Sequence, residues 1–379
     1  MLKRTTAFLL AILLANAGLP AAQAREYPDL AMDCRAALLM EYESGEVLYA
    51  RAEHEPMPMA SVTKIMSVLL AVEAIEAGEI SLDDTVTAST HAASMGGSQI
   101  YLRENEQMPL RDILKSVIVA SANDACVALG EHIAGSEDEF VARMNRRAAE
   151  LGMNDTNFVN CTGLDADGHR SSAYDIALMS RELLGHELIF DYTTIWTDSV
   201  RDGEFGLTNT NKLIRFYQGA NGLKTGSTNG AMYCVSAAAK RDGMQLIAVV
   251  LGSSSGTARF EAAKTMLNYG FANFRLLPLE KPEIPAIPVK NGVAEQVTVD
   301  TVIPKSLLVE RSFSKQPECT VELPEYIEAP VEAGDEIGSV TWSAGGDAVY
   351  SAGVYAAETV EERSFGFCLL ELLKKFIMI

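Results

Sequence analysis

"MPMASVTKIMSVLLAVEAI", residues 57–75, decides the fold of this chain. Its residues are small, apolar or β-branched, with few polar positions, and it reads as a buried helix. Lys64 nevertheless stands in the first turn, three residues after Ser61. That spacing puts the ammonium and the hydroxyl side by side on one helix face. An ammonium next to the positive end of a helix, in apolar surroundings, has its charged form disfavoured. A neutral lysine can take the proton of a serine, so the pair reads as base and nucleophile. The plain alternative is an N-cap serine with a lysine whose stem lies on apolar surface and whose head reaches water. S-x-x-K arises often by chance and does not decide between the two alone.

Two further stretches bear on the choice. "ASANDAC", residues 120–126, carries Ser121 and Asn123. After an apolar helix, S-A-N most often marks a helix end or turn. If it faces Ser61, Ser121 supplies a second hydroxyl that relays protons from Lys64 to a leaving amine, and Asn123 can hold an amide carbonyl. "NGLKTGST", residues 221–228, places Lys224, Thr225 and Gly226 at the expected start of a strand. Their charge and hydroxyl suit a carboxylate. Gly226 leaves the strand edge bare for an extended ligand to add along it. The N–H of Ser227 is expected to complete an oxyanion hole with that of Ser61. An ordinary edge-strand lysine and turn glycine is the competing reading.

The rest of the chain supplies the setting. "AALLMEYESGEVLYAR", residues 36–51, reads as a β-hairpin about Ser44 and Gly45. The middle is mostly helical, including residues 110–135 and 137–153, and residues 222–252 turn to strands before a helix over 258–274. Strands at both ends of a helical middle predict one sheet closed by terminal segments, with helices packed on it: an α+β domain over 25–275. Residues 276–282 open a proline-rich stretch and read as a linker. Short alternating segments over 283–360 predict a small all-β, sandwich-like domain. The tail over 361–379 reads as an amphipathic helix. Phe365, Leu369, Leu372, Leu373, Phe376 and Ile377 form one apolar face for a membrane surface, and Lys374 and Lys375 reach head groups. A terminal helix packed on the β domain is the alternative.

Residues 1–24 have a basic start, an apolar stretch and an A-x-A-like end, the pattern of a cleaved export signal. The formal charge is −20, and loss of that segment, with Lys3 and Arg4 and no acid, makes it more negative still. So acidic a chain repels nucleic acid, which is excluded as a partner. Six cysteines are present, and Cys126 and Cys234 lie in apolar runs and read as buried small hydrophobes. No Cys/His spacing points to a metal, and no cofactor is expected.

S-x-x-K, S-x-N and K-T-G, in that order and setting, are together a strong signal. The chain resembles the low-molecular-mass penicillin-binding proteins of the D-alanyl-D-alanine carboxypeptidase type, peptidase family S11. "ELGMNDTNFVNCTGLDADGHRSSAYDIALMSRELL" and "ARFEAAKTMLNYGF" also look typical of that family. The resemblance implies a penicillin-binding, serine β-lactamase-like domain: an antiparallel sheet with helices on both sides and a helical subdomain, then the β domain and tail. It implies removal of the terminal D-alanine from peptidoglycan stem peptides, inhibition by β-lactams, and a location outside the cytoplasmic membrane, peripheral on its outer face. It further implies Ser61 as acyl carrier, Lys64 as proton acceptor, Ser121 as second serine with Asn123 beside it, and Lys224 and Thr225 as substrate binders. Arg259 is implied as an aid in holding the terminal carboxylate; His169, in "ADGHRSS", reads as a loop-structuring residue rather than a catalytic one, because the scheme already has its base.

Two rivals remain at this level. A β-lactamase needs a base for a deacylating water, and Glu150 and Asn154, four apart, superficially fit one, although Glu150 reads as a solvated face residue. A catalytically silent wall-binding protein would use the β domain and tail alone.

Overall fold

A strand buried along all of its length, Met244–Ser253, forms the spine of the molecule. In the computed structural model, which describes residues 27–377, it is the centre of a five-stranded antiparallel sheet. In spatial order the strands are Val47–Arg51, Ala36–Glu41, Met244–Ser253, Met232–Arg241 and Ala220–Thr228. The expected export signal, 1–24, lies outside the described residues.

Side chains alternate between two apolar layers, as the strand period of two requires. Leu38, Met40, Ile247, Val249 and Leu251 face a large helical cluster. Leu39, Leu246, Ala248 and Val250 face the helix Gly256–Asn273 through Phe260, Met266 and Leu267. With both faces covered, the central strand reads as a continuous apolar run. The hairpin at one end of the sequence and the strands over 220–253 close one sheet, as expected.

The helical layer is built from Lys64–Glu76, Asn123–Ala134, Glu137–Glu150 and Ala173–Leu183. Arg147 ties three of these together, with Nη2 at 2.7 Å from Glu73 and 2.6 Å from Glu182. The helical stretch expected over 110–135 is interrupted: Leu110–Lys115 widens into a π-helical turn, Ser116–Ala120, and stops at Ser121. Ser121 is left-handed, with φ of 62°. The chain then restarts as the helix from Asn123.

One placement needs correction. K-T-G does not start its strand but lies in the middle of Ala220–Thr228, because Ala220 and Gly222 already pair with Met232–Arg241, across a bulge at Asn221. Asn and Gly are poor strand formers, which hid the true start.

Phe274–Pro278 pairs with Ser306–Glu310, so the first three residues of the stretch read as a linker are strand. Beyond it, a four-stranded and a three-stranded sheet follow, with small cores around Val340, Trp342 and Val354, and around Ile287, Val289 and Val297. Phe365–Ile377 is helical, as expected. Its Phe365, Leu369, Leu372 and Leu373 are exposed, Phe365 by 84%, so these four side chains are not buried against the β domain. The side chains of Lys375, Phe376 and Ile377 lie outside the description. Among the described residues, no helix is long and apolar enough to cross a membrane.

Candidate active site

A short 3-10 turn, Ala60–Thr63, leads straight into the helix Lys64–Glu76 and carries Ser61 at the edge of a cleft. Lys64 is fully buried, and its Nζ makes three hydrogen bonds: to Ser61 Oγ at 3.0 Å, Asn123 Oδ1 at 2.6 Å and Thr162 O at 2.7 Å. Burial pushes its pKa below the usual lysine value, offset in part by Cys126, Cys161 and the Asp124 carboxylate. A neutral amine has two protons and one lone pair. Thr162 O can only accept. Asn123 Oδ1 is fixed as the acceptor end, because Nδ2 of the same amide donates to Gly96 O at 2.7 Å. The two protons therefore go to Asn123 and Thr162, and the lone pair is left for the Ser61 hydroxyl.

The S-A-N segment sits beside this pair. Asn123 opens its helix with its backbone N–H on Ser98 O at 2.7 Å. The sequence reading gave Asn123 the task of holding an amide carbonyl; here its oxygen is engaged by Lys64 and its nitrogen by Gly96. Ser121, two residues earlier, is 5% exposed in its left-handed conformation, a strained geometry that clusters at functional sites. Its hydroxyl is not among the three partners of Lys64.

The strand Ala220–Thr228 forms the opposite wall and is an edge of the sheet. Gly226 is what lets the two walls meet. A Cβ there would lie 2.7 Å from Ser61 N and 2.9 Å from Met59 O. The absent side chain thus makes room for the turn that carries Ser61, a reason beyond the bare strand edge expected from sequence. Ser227 follows, exposed at the cleft mouth. Thr225 donates to Thr210 Oγ1 at 2.7 Å, and Lys224 Nζ donates to Thr225 O at 2.9 Å.

Lys224 is also buried, and its pKa falls well below the usual value, chiefly through burial and then through Lys64 and Arg259. Three basic side chains, Lys64, Lys224 and Arg259, thus converge on one cleft of a strongly acidic protein. Arg259 donates through Nη1 to Gly226 O at 2.9 Å and Cys234 O at 3.3 Å, and its guanidinium lies over the Phe260 ring at 4.8 Å. It braces the K-T-G strand from its neighbouring helix.

Several partners escaped the sequence reading. Thr162 contributes only a backbone oxygen, which leaves no side-chain signature. Buried Asp124 accepts from the N–H groups of Ile100 and Leu102 and holds the loop that leads to Gly96. Only its position next to Asn123 signalled it. His169 bonds Thr63 Oγ1 through Nε2 at 2.8 Å, in keeping with a structural task. Cys126 and Cys234 are buried as expected.

Glu150 and Asn154 do not reach the cleft. Glu150 is exposed on its helix and pairs with Arg147 at 3.4 Å, so the superficial β-lactamase spacing has no counterpart at Ser61. A cavity of about 680 Å³ lies elsewhere, lined by Tyr42, Arg181, Glu182 and His186 and by no serine or cysteine.

Comparison with known proteins agrees with this architecture. A family model described as D-alanyl-D-alanine carboxypeptidase, Peptidase_S11, matches residues 21–255. A second, for the C-terminal domain of penicillin-binding protein 5, matches 279–362. The chain is 40% identical to the D-alanyl-D-alanine carboxypeptidase DacF of Bacillus subtilis over 343 residues, covering 89% of this chain and 88% of that one. It is 32% identical to DacC of Escherichia coli over 370 residues, covering 95% and 91%. Penicillin binding protein 5 from Haemophilus influenzae superposes with a TM-score of 0.78 at 29% identity, covering 89% of this chain and all of that one. Penicillin-Binding Protein D2 from Listeria monocytogenes, solved in an ampicillin-bound form, gives 0.60 at 32% identity over 64% of this chain and all of that one. The chain therefore belongs to the D-alanyl-D-alanine carboxypeptidases of peptidase family S11, the penicillin-binding serine hydrolases whose sheet, helical layer and C-terminal β domain it shares.

Proposed function

We propose that Ser61 is the nucleophile of this carboxypeptidase and that uncharged Lys64 is its base. The observation that carries the reading is the bonding of Lys64, whose only partner able to give a proton is the Ser61 hydroxyl. As Ser61 Oγ attacks the carbonyl carbon between the last two residues of a stem peptide, its proton passes to Lys64 Nζ. The N–H groups of Ser61 and Ser227 stabilise the oxyanion that forms. Ser121 relays the proton to the departing D-alanine amine, and Asn123 holds Lys64 in place. A water then hydrolyses the acyl-enzyme and regenerates the serine.

Lys224, Thr225 and Gly226 receive the substrate along the strand edge, with the terminal carboxylate drawn to Lys224 and Arg259. Arg259 also braces Gly226 O. A β-lactam presents an equivalent carbonyl and carboxylate and acylates the same serine. The ampicillin-bound Listeria relative supports that reading.

We further propose that the chain is exported, is divided near residue 277 into peptidase and β units, and rests on the outer face of the cytoplasmic membrane. The exposed apolar face of Phe365–Ile377 supports the last point. The test of the central reading is D-alanine release from a stem pentapeptide by wild type and by Ser61→Ala. Release by wild type alone is expected; equal release by both proteins overturns it.

A further inference from the structure

The peptide group joining Ala60 to Ser61 is held on its carbonyl side by a buried chain of hydrogen bonds that begins far away in sequence. Val159 N–H donates to His169 Nδ1 at 3.1 Å, so that nitrogen is an acceptor and the ring proton sits on Nε2. Nε2 lies 2.8 Å from Thr63 Oγ1, and Thr63 Oγ1 lies 2.8 Å from Ala60 O. The carbonyl can only accept. Thr63 therefore gives its one proton to Ala60 O and receives that of His169, and the chain runs in a single direction. Burial favours the neutral ring, although the Asp165 carboxylate opposes this.

In a trans peptide, the carbonyl and the following N–H point opposite ways. Fixing Ala60 O therefore fixes the direction of the Ser61 N–H. Ala60 itself is left-handed, with φ of 50°, and Gly163 passes so close that a Cβ there would sit 1.9 Å from Ala60 O. Such a backbone persists only where its surroundings over-determine it.

We infer that His169, acting through Thr63, is a positioning residue that holds the Ala60–Ser61 peptide so that the Ser61 N–H faces the oxyanion of the reaction. The inference rests on the reading of Ser61 as nucleophile. It places His169 in the oxyanion step rather than only in its loop. Because that donor acts on charge developed in the transition state, its misalignment slows acylation and leaves non-covalent binding almost untouched.

The experiment uses the purified full chain and a fluorescent penicillin, with the acylation rate constant and the pre-acylation dissociation constant extracted separately. Thr63→Val removes the hydroxyl and is expected to slow acylation roughly 10- to 100-fold with the dissociation constant within about twofold of wild type. Thr63→Ser keeps the hydroxyl and is expected to restore most of the rate. His169→Asn keeps an acceptor for Val159 N–H but cannot reach Thr63, and is expected to slow acylation by about tenfold while remaining folded. Wild-type acylation by folded His169→Asn overturns the inference, as does a Thr63→Ser variant no faster than Thr63→Val. Should Thr63→Val fail to fold, His169→Asn decides alone. Failure of the underlying reading looks different: the penicillin label is then absent from the Ser61 peptide of wild type, whatever the variants do.

Discussion

Asn123 Oδ1 accepts a 2.6 Å hydrogen bond from Lys64 Nζ, and the same amide is anchored to Gly96 O through Nδ2. An amide held this way is an acceptor that cannot titrate. In the uncharged form of Lys64 it takes one of the two amine protons without adding charge, and so leaves the lone pair facing Ser61.

Asn123→Asp puts a carboxylate in that place. An opposite charge at hydrogen-bond distance raises a lysine pKa, so the neutral fraction at a given pH falls about tenfold for each unit. Acylation by a β-lactam at neutral pH is expected to drop by at least about tenfold and to recover as pH rises, with the whole profile displaced upward. The new oxygen also faces Gly96 O, which costs about 1–3 kcal/mol of stability. A pH–rate profile that overlays wild type refutes the role given to Asn123.

Lys224 gives a second pH-dependent handle. Burial first, and then Lys64 and Arg259, hold its pKa well down. A bound carboxylate adds an opposite charge and favours the protonated form. Binding of a carboxylate-terminated, non-reacting peptide is therefore expected to take up protons and to weaken as pH rises. Calorimetry in two buffers of different ionisation enthalpy measures the uptake. Identical binding enthalpies in both would rule out this coupling.

Gly226→Ala tests the contact between the two walls. The new Cβ meets Ser61 N and Met59 O, both backbone atoms that cannot swing away. Either the strand or the nucleophile turn must shift, and a displacement of this size costs about 100-fold in rate. Overpacking adds roughly 1–3 kcal/mol of lost stability. Acylation within a few-fold of wild type would show that the walls tolerate separation.

The sequence disclosed what is local. Ser61 and Lys64 share one helix face, and the three motifs need only their own neighbours to be recognised. The inner strands on either side of the helical middle were legible because Ala36–Glu41, Met232–Arg241 and Met244–Ser253 are dominated by apolar residues. Less visible was whatever depends on backbone atoms or distant segments. Thr162 O reaches Lys64 across 98 positions, and His169 reaches Thr63 across 106. The bond between Asn123 and Lys64 also stayed hidden, because an amide next to a cleft suits a substrate as well as it suits a lysine. Gly226 was recognised as special, but its nearest neighbour is the turn of Ser61, a contact that only the folded chain creates.

His169 is expected to make stability depend on pH. Burial lowers its pKa from 6.5 to about 4. Between those values the unfolded chain binds more protons than the folded one, so stability falls as pH drops from about 6.5 to about 4 and is unaffected by this residue above that window. The full shift corresponds to about 3 kcal/mol. His169→Gln is expected to flatten this part of the curve in chemical denaturation at a series of pH values. An unchanged pH slope in the variant would assign the acid sensitivity to other groups.

The C-terminal helix yields the last prediction. Phe365, Leu369, Leu370, Leu372 and Leu373 are all exposed, while Lys374 pairs with Glu371 at 2.8 Å on the polar side. An apolar face of this kind gains about 25 cal/mol for each Å² withdrawn from water, so immersion in an interface is favourable and solvation is not. Removal of residues 363–379 is expected to move the protein from the membrane fraction to the soluble fraction while leaving its acylation by penicillin intact, because the cleft lies wholly within the first unit. Unchanged recovery in the membrane fraction would show that another surface holds the protein there.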